Sequence, residues 1–258
     1  METYKQTAGR ARLKVLSMIF KGQSSHIGSN FSCIDILTVL HALMKPEDIL
    51  IYSKGWVAAS AYFFLAEQGK IPKKDLNTYC KKDSQYIGLT EPSVSGIEFA
   101  GGSMGMGLSA AVGFAIAKKL KKEKGIVYVL MSDGEQAIGT TWESVLIAAH
   151  HKLDNLVVLI DNNELQAMGK VKDILNIVPL RNKWRAFGWQ THRTDGHDFN
   201  RIEKALGRKK KRGVPSVIVF DTVKGKGVSF MEGVNRFHYA PPNKSEMLQA
   251  QAELENTI

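Results

Sequence analysis

Cysteine is nearly absent from this 258-residue chain: Cys33 and Cys80 are the two it has. Two thiols cannot build a disulfide framework, and neither stands in a CxxC or Cys/His spacing that would hold zinc. A reducing compartment, and so a cytoplasmic location, is the expectation. Also missing is any apolar run near the ~20 residues that a membrane-spanning helix needs, so no membrane partner is expected. The basic stretch 1–20 has neither an apolar h-region nor a small-residue cleavage site, which argues against a secretory signal. Instead Ala8, Ala11, Val15, Leu16, Met18 and Ile19 recur there at helical spacing. No repeat, low-complexity tract or Pro/Gly/Ser-rich linker divides the chain, and its length is within reach of one hydrophobic core; one domain over residues 1–258 is expected.

Acidic residues are in deficit, 25 against 35 Lys and Arg, for a net charge of +10. Such a balance favours anionic partners. The excess, however, gathers in residues 118–124 and 208–212, each at the end of an expected helix, where lysines complement the helix dipole. Without interleaved aromatics or a recognition motif, nucleic acid is not an expected partner.

What the chain does have is alternation. Short runs rich in Val and Ile predict strands over 126–131, 156–161 and 217–222. Helical spacing predicts helices over 32–43, 56–68, 108–122, 140–152, 183–187 and 201–207. Strand, helix and strand between 126 and 161 make a βαβ unit with parallel strands. The expected fold class is therefore α/β: a doubly wound, mainly parallel sheet with helices on both faces. Ligands in such sheets bind at the carboxyl ends of the strands.

Those ends carry the informative residues. One strand runs into Ser132-Asp133-Gly134 and the next into Asp161-Asn162-Asn163, one strand-helix-strand circuit later. A carboxylate and an amide on one sheet edge are hard oxygen ligands that suit Mg²⁺, an ion that shares its shell with phosphate and water. Gly134 would let a diphosphate approach the backbone. Taken singly, Asp133 reads first as a helix cap and Asn162-Asn163 as a turn; the pair at this spacing is the more specific signal. Gly105-x-Gly107 opens a helix, but no strand precedes it and no ribose-binding acid follows, so a dinucleotide fingerprint is not supported.

With these motifs the chain resembles the transketolase family of thiamine diphosphate enzymes, whose signature is Gly-Asp-Gly followed, some two dozen or more residues on, by Asn-Asn. Further landmarks stand in order: Ser25-His26-Ile27-Gly28, the stretch 101–107, Asp195-Gly196-His197-Asp198, Thr222-Val223-Lys224-Gly225-Lys226-Gly227 and His238-Tyr239-Ala240-Pro241. The resemblance implies a thiamine diphosphate-binding fold. It implies Mg²⁺, or Ca²⁺ or Mn²⁺ in its place, held by Asp133, Asn163 and the backbone carbonyl of Leu165. It places Ser132, Asp133, Gly134, Glu135, Asn163, Gly102 and Met104 at the cofactor and makes His26 and His238 the catalytic histidines, with His197 structural. The expected activity is transfer of a two-carbon ketol or acyl unit between small carbonyl substrates, the cofactor carrying the chemistry and the protein orienting it.

Three positions depart from the family pattern. Trp56 stands where a histidine belongs, Leu89 replaces a second histidine, and Ile138 replaces a glutamate. Leaving sugar hydroxyls buried without partners costs ~1–3 kcal/mol each, so a donor other than an ordinary ketose phosphate is expected. A subunit that decarboxylates 2-oxo acids and forms acyloins, or a non-catalytic cofactor-binding subunit, are the alternatives. The resemblance leaves no segment of these 258 residues for the family's pyrimidine-binding domain, whose glutamate activates the cofactor, so that domain is expected on another chain. The resemblance thus implies one subunit of a split enzyme, active with a C-terminal partner subunit carrying that domain, in a heterotetramer.

Overall fold

The computed structural model describes residues 2–256; Met1, Thr257 and Ile258, the ends of the expected 1–258 domain, lie outside it. In chain order come α1 (Tyr4–Gly22), α2 (Ile27–Leu43), β1 (Ile49–Tyr52), α3 (Ala58–Glu67), α4 (Met106–Leu120), β2 (Val127–Ser132), α5 (Gly139–His150) and β3 (Leu156–Asn162). Then follow α6 (Val171–Ile174), α7 (Leu180–Ala186), β4 (Gln190–Asp195), α8 (Phe199–Leu206), β5 (Ser216–Asp221) and α9 (Lys244–Glu255). The strands form one sheet in the order β1-β2-β3-β5-β4, every neighbouring pair parallel.

Alternating side chains of the central strands enter two separate cores. Tyr128 and Leu130 of β2, Val157 and Leu159 of β3, and Ile218 and Phe220 of β5 pack with residues of α1, α2, α3, α8 and α9. Val127, Val129 and Met131, with Val158, Ile160, Val217 and Val219, pack with α4, α5 and α7 on the other face. Strands buried on both faces read as continuous apolar runs, which is why β2, β3 and β5 lie within one residue of their expected positions. The α/β class with helices on both faces is observed.

Differences follow from burial that local pattern does not carry. β4 contains no aliphatic residue and is an edge strand whose side chains are half-buried or exposed, so neither periodicity marks it. β1 is four residues long and also an edge. α2 begins at Ile27 rather than 32, because Ser29, Asn30 and Ser32 are buried polar residues with partners: Asn30 Nδ2 donates to the His26 carbonyl at 2.9 Å and its Oδ1 accepts from Ser60 N at 3.0 Å. α9, not expected from the sequence, is started by an Asn243–Glu246 capping box and buries Ala250 and Leu254.

The first basic cluster begins in the last turn of α4, where the dipole argument put it; the second, 208–212, follows the end of α8 at Leu206. Lys118 and Lys119 end α4, and the Lys118 ammonium donates to the carbonyls of Glu47 and Lys124 at 2.8 and 3.0 Å. Between β1 and α4 the backbone of 53–55 meets that of 101–102; a Cβ on Gly55 would stand 2.3 Å from the Gly101 carbonyl carbon. Gly55→Ala is therefore expected to destabilise the fold by about 1–3 kcal/mol, as overpacking does elsewhere. A lowered urea midpoint checks this; an unchanged midpoint would contradict the close approach.

Candidate active site

Four strand ends converge on one edge of the sheet. β1 leads into Ser53-Lys54, β2 into Asp133, β3 into Asn163, and β5 into Thr222 and Lys224. Above them lies a cleft of about 340 Å³. Its walls include His26, Trp56, Gly102, Met104, Ser132, Asp133, Gly134, Asn163, Leu165 and His238, all singled out from the sequence. A second cavity of about 390 Å³ backs onto the same Asp133, Asn163 and Leu165, with Val171, Ile177 and Leu180 in its wall, but neither His26 nor His238 lines it.

Asp133 is 2% exposed and caps the turn that follows β2. Its Oδ1 accepts from Gly134 N at 2.7 Å and its Oδ2 from Glu164 N at 2.6 Å. Burial, reinforced by the charge of Asp161, raises its pKa to about 7. No side-chain cation hydrogen-bonds it among the described residues. Asn163 turns its NH₂ toward Ser32 and Asp161 while its Oδ1 accepts from Leu165 N at 3.1 Å.

Two buried lysines that sequence reading did not single out lie at the cleft: Lys54 lines it, and Lys224 bonds residues of its wall. Lys54 is 1% exposed; it pairs with the fully buried Asp161 and also donates to the Ser29 carbonyl at 3.3 Å. Lys224, equally buried, donates to His238 Nδ1 at 2.7 Å and to the carbonyls of Leu165 and Gln166 at 3.3 and 3.4 Å. Burial and then the Lys54 charge lower the Lys224 pKa to about 8. Their signal was a lysine inside each of two landmark motifs, Ser53-Lys54-Gly55 and Thr222-Val223-Lys224.

The residues fit a metal-bound diphosphate. Asp133 is a buried carboxylate lacking a cation, Asn163 and the Leu165 carbonyl are further oxygen donors beside it, and two buried ammonium groups supply positive charge. The Gln166 Nε2 is buried with no hydrogen-bond partner, and it would stand 3.2 Å from a Cβ placed on Gly134. Hard oxygen ligands suit Mg²⁺.

The two histidines touch. Their ring centroids are 4.9 Å apart, and His26 N donates to the His238 carbonyl at 2.8 Å, which holds His26 at a left-handed φ of 71° just before α2. His26 Nδ1 bonds Ser25 Oγ at 2.6 Å. Burial, then the positive charges of Lys224 and Lys54, pull His26 down to about 4; burial, Lys224, His26 and Lys54 pull His238 down to about 3. Both are neutral at pH 7. Because an ammonium can only donate, His238 Nδ1 accepts from Lys224 and the ring proton sits on Nε2.

Three residues expected at the site do not line the cleft. Glu135 is fully buried and its oxygens accept from Ser53 Oγ, from Ser132 N at 2.7 Å and from Gly105 N at 3.2 Å, so it ties the glycine segment to the end of β2. Leu89 packs against Gly102, and Ile138 lies beside Gly105. Of the three departures from the family pattern, Trp56 alone reaches the cleft. His197 bridges Asp35 Oδ2 and Val223 N at 2.7 and 2.8 Å, a structural arrangement as expected.

The family described as "Transketolase, thiamine diphosphate binding domain" matches residues 3–256. The chain is 40% identical, over 90% of its own length and 88% of the relative's, to an apulose-4-phosphate transketolase subunit of Actinobacillus succinogenes. It is 35% identical, over 95% of itself and 93% of the relative, to 6-deoxy-6-sulfo-D-fructose transketolase subunit SqwG of a Clostridium species. The crystal structure of transketolase from Campylobacter jejuni superposes with a TM-score of 0.93 at 29% identity, covering 99% of this chain and 43% of that one. The chain thus spans less than half the length of that solved transketolase. Its parallel sheet, the Asp133–Asn163 edge and the family match over nearly its whole length place this chain in the transketolase family, as a thiamine diphosphate binding domain.

Proposed function

We propose that this chain is the diphosphate- and metal-binding subunit of a split transketolase. It binds thiamine diphosphate with Mg²⁺ and, joined to a C-terminal partner subunit bearing the pyrimidine-binding domain, transfers a two-carbon ketol unit between carbonyl substrates. The observation that carries this reading is the meeting of Asp133, Asn163 and the Leu165 carbonyl with two buried lysines at the carboxyl ends of parallel strands. Relatives named as transketolase subunits, matched nearly end to end, support the division into two chains.

In this reading Asp133, Asn163 and the Leu165 carbonyl would hold the metal, and Lys54 and Lys224 would lend positive charge to the diphosphate. Bound thiamine diphosphate supplies the carbanion chemistry that breaks and makes the C–C bond. The chain's own residues orient and exclude. His238 offers Nε2–H to a substrate oxygen, and Lys224 keeps it in that tautomer. His26, neutral and held by Ser25, exchanges hydrogen bonds with a neighbouring hydroxyl. Trp56 covers one wall with an aromatic surface that shuts out water.

Calorimetry with thiamine diphosphate is expected to give binding in the presence of Mg²⁺ and none in EDTA; metal-independent binding of equal strength would refute the site. With the partner subunit co-expressed, turnover is expected to appear where the single chain has none. Robust turnover by the single chain would refute the split reading. The apolar wall at Trp56, and relatives whose names specify apulose 4-phosphate and a sulfo-sugar, favour a donor other than an ordinary ketose phosphate. A donor panel read by kcat/KM tests this. Xylulose 5-phosphate is expected to trail the best donor by at least about tenfold, the size of one lost ~1.4 kcal/mol contact; xylulose 5-phosphate as best donor would overturn it.

A further inference from the structure

The amide of Asn163 is held in one orientation, and the group that holds it is Asp161. Asp161 lies next to last in β3 and is fully buried. Its carboxylate accepts from Ser32 Oγ, Lys54 Nζ and Thr222 Oγ1, and at 3.4 Å from Asn163 Nδ2. Ser32 Oγ takes a second contact from the same Nδ2 at 3.3 Å. A side-chain amide carries its donors on one side and its acceptor on the other. With the NH₂ anchored inward on Asp161 and Ser32, Oδ1 has to point the opposite way, to Leu165 N at 3.1 Å, along the cleft wall shared with Asp133. Reversed, the amide would set its oxygen against the Asp161 carboxylate and its NH₂ toward the ion, unfavourable at both ends.

We propose that Asp161 is a positioning residue for the metal: it does not touch the ion, but it fixes the Asn163 amide so that the carbonyl oxygen faces it. The inference rests on the metal-and-diphosphate reading given above. Lys54 and Thr222 complete the device from two other strand ends, so the orientation of one ligand is set by β1, β3, β5 and α2 together.

The test uses Mn²⁺ as the probe, with thiamine diphosphate present, and follows free Mn²⁺ by electron paramagnetic resonance. Asp161→Asn and Asn163→Asp are each expected to weaken Mn²⁺ binding by at least about tenfold, the usual cost of losing a partner that orients a ligand. In the first, one amide oxygen has to serve Lys54, Ser32 and the Asn163 NH₂ without the carboxylate's charge; the second sets a carboxylate against a carboxylate. Ser32→Thr keeps the hydroxyl that accepts from the same NH₂ and is expected to bind Mn²⁺ more tightly than Ser32→Ala, whereas a mere packing role would make the larger residue the worse of the two. Ser32→Ala, which leaves every charge in place, reports on the same amide should Asp161→Asn fail to fold, with an expected loss of about threefold or more. Parental affinity in Asp161→Asn, or in Ser32→Ala, or a Ser32→Thr variant no better than Ser32→Ala, would overturn the proposal. A parent chain that binds no Mn²⁺ would overturn the metal reading along with it, and so is distinguishable from failure of the positioning role alone.

Discussion

Replacing Asp133 by asparagine is expected to make the metal-free protein more stable above pH 7 while abolishing its response to Mg²⁺ and thiamine diphosphate. Asp133 is buried, and burial followed by the Asp161 charge raises its pKa to about 7, against about 3.9 in an unfolded chain. A carboxyl whose folded pKa lies above its unfolded value favours folding only while protonated. That contribution is complete below about pH 4 and is lost as pH rises through about 7. At pH 8 the charged form costs the metal-free fold ~4 kcal/mol, from the gap between the two pKa values. Asparagine removes the charge but can accept from only one of Gly134 N and Glu164 N, which returns ~1–3 kcal/mol of the gain. A net increase of about 1–3 kcal/mol at pH 8, shrinking toward pH 4, follows. Thermal unfolding of both proteins at the two pH values, with and without Mg²⁺ and cofactor, measures it. A variant less stable than the parent at pH 8 would mean that the carboxylate is satisfied without a cation, and the trade between stability and site would not exist.

Lys54→Met is expected to be among the most damaging single changes in the chain. The Lys54–Asp161 pair is almost wholly withdrawn from water, at 1% and 0% side-chain exposure. Burial works to raise the Asp161 pKa, and Lys54 outweighs it, leaving the carboxyl below the usual carboxylate range. Removing the cation strands that carboxylate, at ~3–5 kcal/mol for a buried pair broken on one side. The sign follows from the lowered pKa: Asp161 contributes stability above about pH 4 and loses it as pH falls through its folded pKa, so the deficit of Lys54→Met narrows in acid. Removing both partners is different. Lys54→Met/Asp161→Leu is expected to recover most of the loss in urea unfolding, yet to bind Mn²⁺ poorly because nothing then orients Asn163. A loss below about 1 kcal/mol in the single variant would show that water reaches Asp161.

Much of the site was legible because spacing along a βαβ unit is a spatial statement. Asp133 and Asn163 follow adjacent parallel strands, and β2 and β3 pair in register from Val127 with Leu156 to Ser132 with Asp161. Their meeting at one edge was therefore readable without coordinates. His26, Trp56 and His238 were found through landmark motifs, and the cleft contains all three. Glu135, Leu89 and Ile138 came from the same kind of reading and are not in its wall, since motif position gives neighbourhood and not direction.

The sequence by itself determined the layer architecture, the three central strands, the strand end at which chemistry gathers and the family whose motifs it carries. These depend on local periodicity and on short-range spacing, both of which survive in one dimension. Only the tertiary structure decided which polar residues are buried together. Lys54 and Lys224 look like any other lysine among 35 basic residues until β1 and β5 bring them under one cleft. The edge strand β4, the early start of α2 and the choice of His238 tautomer are of the same kind. Each is set by desolvation and by partners far away in the chain: Lys54 with Asp161, 107 positions apart, and Ser32 with Asn163, 131 apart. The energy of a buried charge or amide depends on which groups replace its water, and that is a property of the packed fold, not of neighbouring residues in the chain.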